Sequence, residues 1–288
     1  MMAPTCSKPL PQCNGPKLHM FKEKTHIEFV RLLSDINDDS ESGGHAYVFE
    51  ASIGGKKFAL KVFKFYDDGE DRSILTGREN EYITTDLLRA HMDPFYNECR
   101  AYGRLIEGKV NGKVAVRCHG YTTISAEREE ELEERFNVTG WNRPEEEYAR
   151  PVARRQPFQA IVKDLISEDV PFNAQLAKKT LKDLKRMRRL GVYPLDITGR
   201  NYMDGLLVDM SIAMTKPHYL FEIKPKWEVK LLQRQDLLSW QSMMEEENVI
   251  TWERAVRNPK YCKKLRSHKR SEHSDESSDE EVNHDSDG

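Results

Sequence analysis

The sequence has few cysteines, no large excess of either charge and no long apolar run, and each shortage excludes a class of protein. Its five cysteines are scattered, form no C-x-x-C pair and are odd in number, so a disulfide framework is not expected. The expected compartment is therefore a reducing one, the nucleus or the cytoplasm. No segment approaches the roughly 20 apolar residues that a membrane span requires, and residues 1–17 do not resemble a secretory signal.

The charge balance argues against a nucleic-acid-binding surface. Lysine and arginine number 45, aspartate and glutamate number 48, and the formal net charge of the 288 residues is −3. A uniformly basic coat is excluded, so nucleic acid is an unlikely partner. Hydrophobic residues make up 38%, enough for a sizeable core beneath a heavily charged surface. The length suits one large domain or two smaller ones.

Composition divides the chain into a folded body and two ends. Residues 1–20 are rich in Pro, Gly and Lys and are expected to be a disordered leader. The tail at 265–288 becomes acidic and serine-rich, with Val282 as the one aliphatic residue of its final part, and is expected to be disordered. Between them we expect an N-terminal lobe at 21–165, with insertions and a hinge, and a helical C-terminal lobe at 166–264.

Strand patterns dominate the first half of the body and helical patterns the second. Two runs rich in aromatic and β-branched residues flank Gly54-Gly55, which favours a hairpin. A second strand pair is predicted across 110–124, and a helix is predicted to begin at Pro94. Further predictions are helices at 126–136, 173–190 and 224–256, a buried strand at 158–166 and a hairpin at Asp204-Gly205. These elements predict an α+β fold with two lobes.

The polar residues most typical of a catalytic site lie between Asp196 and Asp209. Asn201 follows Asp196 by five residues, and Asp209 follows an apolar strand after a short hairpin. Because Mg²⁺ prefers hard oxygen ligands, Asn201 and Asp209 are candidate metal ligands, with nucleotide phosphates completing the coordination. Asp196 is then the candidate base that accepts or orients the proton of an attacking hydroxyl.

The order of these residues along the chain resembles that of the protein-kinase-like fold. Asp196 and Asn201 match the Asp and Asn of the family's catalytic loop, and the run at 209–211 is similar to a divergent D-F-G. Upstream, the run FALK ends at Lys61 and resembles the V-A-I-K strand, while Glu98 resembles the helix glutamate that pairs with that lysine. The resemblance implies a two-lobed kinase-like fold with ATP and Mg²⁺ as cofactors.

The resemblance also assigns roles in nucleotide binding. Lys61 is implied to contact the α- and β-phosphates while Glu98 holds it as an ion pair, which makes both, with Asp196, the implied catalytic residues. The other implied nucleotide contacts are Gly43, Gly44 and Val48 at the place of the glycine-rich loop, Ala59 beside adenine, and Val162 and Asp164 in the hinge between the lobes.

The chain departs from the kinase pattern in its catalytic loop and in its length. Pro194 and Leu195 stand where the family has His and Arg, so the arginine that senses an activation-loop phosphate is missing. Only 79 residues follow Asp209, which predicts a compact C-terminal lobe without a long activation segment. Compactness of this kind resembles small-molecule or atypical kinases.

Two functions from different classes follow. The first is ATP- and Mg²⁺-dependent transfer of a phosphoryl group to a hydroxyl of an unidentified acceptor. The second is an inactive pseudokinase scaffold with protein partners in a nuclear assembly, because the run at 196–222 resembles a fungal kinase-like family labelled as a kinetochore Sim4-complex subunit. Taken singly, Lys61 is better interpreted as a solvent-facing strand lysine, and Asp196 and Asn201 fit ordinary turn residues. Their combination favours a functional interpretation.

Overall fold

A computed structural model of the chain describes most of the body expected from the sequence. The described residues are 15–22, 26–34, 44–73, 75, 83–166, 170–250 and 253–256. The expected tail, most of the expected leader and the candidate Gly43 lie outside them. No helix among these residues is both long and apolar enough to cross a membrane.

Five antiparallel strands form the main sheet, in the order β1-β2-β3-β5-β4. The strands are β1 Ile27–Leu32, β2 Ala46–Ile53, β3 Lys56–Phe63, β4 Cys118–Ile124 and β5 Phe158–Asp164. Gly54 and Gly55 join β2 to β3 with φ values of 58° and 76°, in the left-handed region that a tight hairpin turn requires. The predicted hairpin and the expected combination of a sheet with helices are confirmed.

Nine helices are formed by the described residues. They are α1 Gly69–Ser73, α2 Thr85–Met92, α3 Pro94–Glu107, α4 Glu129–Phe136, α5 Glu145–Tyr148, α6 Ala174–Arg189, α7 Tyr219–Ile223, α8 Lys226–Leu232 and α9 Gln235–Glu246. α3 begins at Pro94 as predicted, because the Asp93 carboxylate accepts a 2.9 Å hydrogen bond from the Phe95 backbone N–H. Asn173 caps α6 in the same way, accepting from the N–H groups of Gln175 and Leu176.

Two short antiparallel strand pairs lie between α6 and α7, and only the second is a hairpin. β6 Val192–Tyr193 pairs with β9 Met214–Thr215, and β7 Tyr202–Met203 pairs with β8 Leu206–Leu207. The β7–β8 turn has φ values of 49° at Asp204 and 65° at Gly205, which confirms the predicted hairpin. These two strand pairs hold the segment that contains Asp196, Asn201 and Asp209.

The strand pair predicted across 110–124 is wrong in its first half. Only β4 is a strand there, and the residues before it form a turn. The Asn111 side chain holds this turn, since its Oδ1 accepts from the Cys118 N–H and its Nδ2 donates to the Cys118 carbonyl, both at 2.9 Å. Val114, Ala115 and Val116 are all buried, so this apolar run packs a loop into the core and forms no strand beside β4.

The body begins earlier than the expected boundary at residue 20. Leu18 is only 2% exposed and belongs to the main core cluster. The backbone of Tyr121 in β4 donates to the His19 carbonyl at 3.1 Å and accepts from the Phe21 N–H at 2.8 Å. Residues around His19 therefore extend the sheet beside β4 and are part of the fold.

Two glycines make room for this N-terminal segment. A Cβ atom on Gly103 in α3 would lie 2.7 Å from the carbonyl carbon of Lys17. A Cβ atom on Gly120 would lie 2.8 Å from the His19 carbonyl oxygen, and Gly120 has a φ of +135°. The leader's composition could not reveal these contacts, because the glycines that permit them lie about a hundred residues away.

Apolar side chains on the two faces of the sheet enter different clusters. One face, with Phe49, Leu60 and Phe158, packs against Leu132 of α4 and the fully buried Trp141. The other face packs on α3 and joins a cluster that continues into α6 and α9. α6 and α9 are also linked by a 3.1 Å hydrogen bond from Trp240 Nε1 to Thr180 Oγ1.

Candidate functional site

Lys61 of β3 lies at the centre of a buried ionic cluster. Leu60 and Val62 enter the cluster around Trp141, so the alternating Lys61 projects from the opposite face, toward α3. Lys61 Nζ lies 3.0 Å from Glu98 Oε2 and 2.7 Å from Asp209 Oδ1. The ion pair with Glu98 that the resemblance implies is confirmed, and Asp209 is a second partner, whereas the roles in catalysis and metal binding remain predictions.

A second lysine, Lys163 of β5, completes the cluster. Its Nζ donates to Glu98 Oε1 and, at 2.7 Å, to the Val208 carbonyl oxygen. In the register of the sheet Lys163 lies opposite Ala59, two residues from Lys61, so both lysines project from one face. Both residues are only 4% exposed and Glu98 is fully buried.

Lys163 was not among the site residues expected from the sequence. The run FQAIVKDLI was interpreted as a strand that leads into a hinge, and its lysine received no role. The signal in the sequence is a lysine inside an otherwise apolar strand, because burying a charge without a partner costs free energy. Its partner is Glu98, 65 residues earlier, and only the register of β3 and β5 brings the two together.

The four charges of the cluster compensate one another. Burial alone would raise the pKa of Asp209, but Lys61 and Lys163 lower it, and the result lies well below the ordinary value. Burial lowers the pKa of Lys61, while Asp209 and Glu98 raise it more, so its pKa lies above the ordinary value. Lys61 and Asp209 are therefore both charged at neutral pH, and two lysines face two carboxylates.

Asp209 is held mainly by groups of the protein itself. Its side chain is 34% exposed, and its Oδ1 accepts from Lys61 Nζ and from the Ser211 N–H, each at 2.7 Å. Among the described residues, no group of three or more His, Cys, Asp or Glu side chains is placed to hold a metal ion. The Asp209 carboxylate is therefore already paired within the ionic cluster. A metal ion would have to share or displace its contacts with Lys61 and Ser211.

Asp196 and Asn201 contact each other in the loop before β7. Asn201 Nδ2 donates to Asp196 Oδ2 at 2.7 Å and to the Asp196 carbonyl at 3.2 Å. The Asn201 carbonyl accepts from the Val208 N–H at 2.9 Å, which links this loop to the strand that leads to Asp209. The structure therefore joins the candidate base and one candidate metal ligand directly.

The candidates for nucleotide binding are distributed along the sheet. Val48 of β2 lies opposite Lys61, and Ala59 lies opposite Lys163, so both adjoin the ionic cluster. Gly44 is exposed, and a Cβ atom there would meet only the Ala46 carbonyl oxygen, at 3.9 Å. No described contact therefore requires glycine at this position.

Residues 162–164, expected to offer backbone groups to adenine, form the end of β5, which confirms the buried strand predicted in this region. Val162 is fully buried between Leu60 of β3 and Gly120 of β4, so its backbone belongs to the interior of the sheet. The Asp164 carboxylate contacts His119 Nε2 at 2.6 Å, and its N–H donates to a carbonyl of the loop before β4. β5 is therefore an interior strand of the sheet, and the nucleotide contacts implied for its end stay a prediction.

The segment that follows Asp209 is short and packed. Met210 and Ala213 are buried, and β9 follows at once, held against β6. The Arg100 side chain donates to the Thr215 carbonyl at 3.2 Å, which fixes this strand to α3. Of residues 210–215, all but the exposed Ile212 are buried, so the segment is largely packed into the core.

A known protein family matches most of the region described above. A family model described as kinetochore Sim4 complex subunit FTA2 matches residues 6–214, which include the sheet and the ionic cluster. No curated protein matches the chain. The resemblance to this family is thereby confirmed for 196–214, the part of the run at 196–222 that the match covers. Since the match covers most of the sequence, the chain belongs to the family of the kinetochore Sim4 complex subunit FTA2.

Proposed function

We propose that the protein is a non-catalytic, protein-kinase-like scaffold subunit of a kinetochore complex. Its family description supports a kinetochore complex, protein partners and a nuclear location. The kinase-like fold is supported by the order of the FALK strand, the helix with Glu98, the Asp196–Asn201 loop and Asp209, and by the contacts between these elements.

The observation that carries the non-catalytic role is the contact of Lys163 with Glu98. In an active kinase the glutamate orients one lysine toward the nucleotide phosphates. Here Glu98 is shared by two lysines, and Lys61 is also bound to Asp209. The charges of the cluster neutralise one another, and its contacts hold β3, β5, α3 and the segment at Asp209 together. The residues that serve catalysis in an active kinase therefore have a structural role here.

Two further features favour a scaffold. Leu195 occupies the place of the arginine in the kinase catalytic loop, so a phosphate on the following segment has no partner there. The residues after Asp209 are packed into the core and lead to α7 within ten residues. A peptide substrate therefore lacks the platform that a long activation segment provides.

A second candidate function is phosphoryl transfer from Mg·ATP to a hydroxyl, which the Lys61–Glu98 ion pair favours. In that case Lys61 would position the phosphates, Asp196 would orient the attacking hydroxyl, and Asn201 and Asp209 would hold Mg²⁺. Magnesium would supply charge neutralisation on the transferred phosphoryl group. Asp209 would then have to share or give up its contact with Lys61 to bind the metal.

The test measures nucleotide binding by the full chain. Calorimetry with ATP, with and without Mg²⁺, is expected to show no magnesium-dependent binding. In cells whose own copy has been replaced, Asp196→Asn is expected to preserve function, because asparagine keeps an oxygen that accepts from Asn201. Magnesium-dependent ATP binding, together with loss of function in folded Asp196→Asn, would instead establish the enzyme.

A further inference from the structure

α8 exposes apolar side chains that the other residues described by the structure leave uncovered. None of its seven residues is buried, and all seven are described. Trp227 is 69% exposed and Leu231 is 53% exposed. Their i, i+4 spacing places them on one face of the helix, and Ile223, 45% exposed, ends the helix before it. A tryptophan beside further exposed aliphatic residues is typical of an interaction surface rather than of isolated surface residues.

Basic side chains border this apolar face. Lys226 and Lys230 also have i, i+4 spacing on α8, each next in sequence to an apolar residue, and Arg234 follows in the turn before α9. Between residues 222 and 234 there are four basic residues and two acidic ones, and one of those acids, Glu228, is 2.9 Å from Lys224. The border of the apolar face is therefore positively charged.

We infer that this face of α8 binds an acidic amphipathic helix of another protein in the complex. Leucine-sized side chains of such a helix would cover Trp227 and Leu231, and carboxylates beside them would face Lys226 and Lys230. The inference rests on the proposed scaffold role, which requires protein partners, and it names the surface and the partner's chemistry.

Two other occupants fit the face less well. The acidic end of this chain, residues 274–288, has Val282 as its one aliphatic residue and no aromatic residue, so it matches the charges but cannot cover Trp227. A second copy would bring the same basic border, with Lys226 and Lys230, toward itself, which costs free energy through repulsion of like charges. A partner that combines apolar and acidic residues satisfies both features.

The first test uses the purified full chain and a synthetic helical peptide of 21 residues. Leucine occupies the a and d positions and glutamate the flanking positions, and a control peptide has lysine in place of glutamate. We expect binding of the glutamate peptide only, with tryptophan fluorescence shifted to shorter wavelength. Trp227→Ala should weaken binding at least about 30-fold and Lys230→Glu at least about 10-fold. Equal binding of both peptides, or no binding of either, would overturn the inference.

Controls separate the surface from the fold. Tyr148→Ala removes another exposed aromatic residue, 51% exposed, and should leave peptide binding unchanged. Because Trp227 is on the surface, Trp227→Ala should keep the melting temperature of the wild type. Sedimentation of the free chain should give a monomer, and a dimer abolished by Trp227→Ala would instead assign the face to a second copy. Failure of the scaffold proposal would be seen in magnesium-dependent ATP binding, which none of these variants is expected to alter.

Discussion

Glu98→Gln tests whether the ionic cluster stabilises the fold. Glu98 is fully buried and accepts from Lys61 at 3.0 Å and from Lys163. Glutamine preserves the size of the side chain but removes its charge, so that two buried ammonium groups then share Asp209. Removing one partner from a buried ion pair typically costs about 3–5 kcal/mol, because the remaining charge is left uncompensated.

The size of the body converts this cost into a melting shift. For a domain of 150–250 residues, about 1 kcal/mol lowers the melting temperature by about 2–4 °C. We therefore expect Glu98→Gln to lower it by at least about 6 °C in thermal denaturation of the full chain followed by circular dichroism. Glu107→Gln is the matched control, since Glu107 ends the same helix and its pair with Arg104 is largely exposed. It should change stability by less than about 1 kcal/mol.

A second substitution shows whether charge balance is the cause. Glu98→Gln combined with Lys163→Met removes one charge of each sign and leaves Lys61 paired with Asp209. Replacing a whole buried ion pair is often close to neutral, so the double variant should regain most of the lost stability. If Glu98→Gln costs less than about 1 kcal/mol, or if the double variant is no more stable than the single one, the cluster does not stabilise the fold as described.

Three further predictions concern other parts of the body. Burial and Arg100 lower the pKa of His91 to about 4. As the pH falls below about 6.5, His91 takes up a proton in the unfolded chain before it does so in the folded protein. The free energy of unfolding of the wild type, measured with urea, should therefore fall by about 1.4 kcal/mol per pH unit relative to that of His91→Phe. Gly103→Ala should destabilise the protein and speed proteolysis near Lys17, although alanine normally favours a helix by about 1 kcal/mol. Deleting 266–288 should leave the melting temperature within about 2 °C.

Local signals in the sequence predicted much of the fold. Pro94 and Asn173 are residues that begin helices, and Gly54-Gly55 makes a hairpin without help from distant residues. The contact of Lys61 with Glu98 was predicted through a family pattern, because the order of the elements constrains which side chains meet. These features depend on short stretches of sequence or on that order.

Features that depend on register or on distant backbone contacts were not predictable in this way. Lys163 belongs to the ionic cluster because it lies opposite Ala59, and the sequence alone does not give the offset between two strands. The turn held by Asn111 contains an Asn-Gly pair that is typical of a hairpin, yet its valines enter the core from a loop. In both cases tertiary contacts decide between structures that the local pattern allows equally.

The N-terminal segment beside β4 has a consequence for synthesis of the protein. β4 is an edge strand of the sheet, and residues 19–21 cover its backbone at Tyr121. The covering residues leave the ribosome first, but the edge follows roughly 100 residues later, about 5–20 s at usual elongation rates. Until β4 has been synthesised, residues 19–21 lack their partner strand. Exposed sheet edges pair with strands of other chains. An expression tag fused directly before residue 15 would lie next to residues 19–21 and would hinder their late pairing with β4, whereas a tag after residue 288 would not.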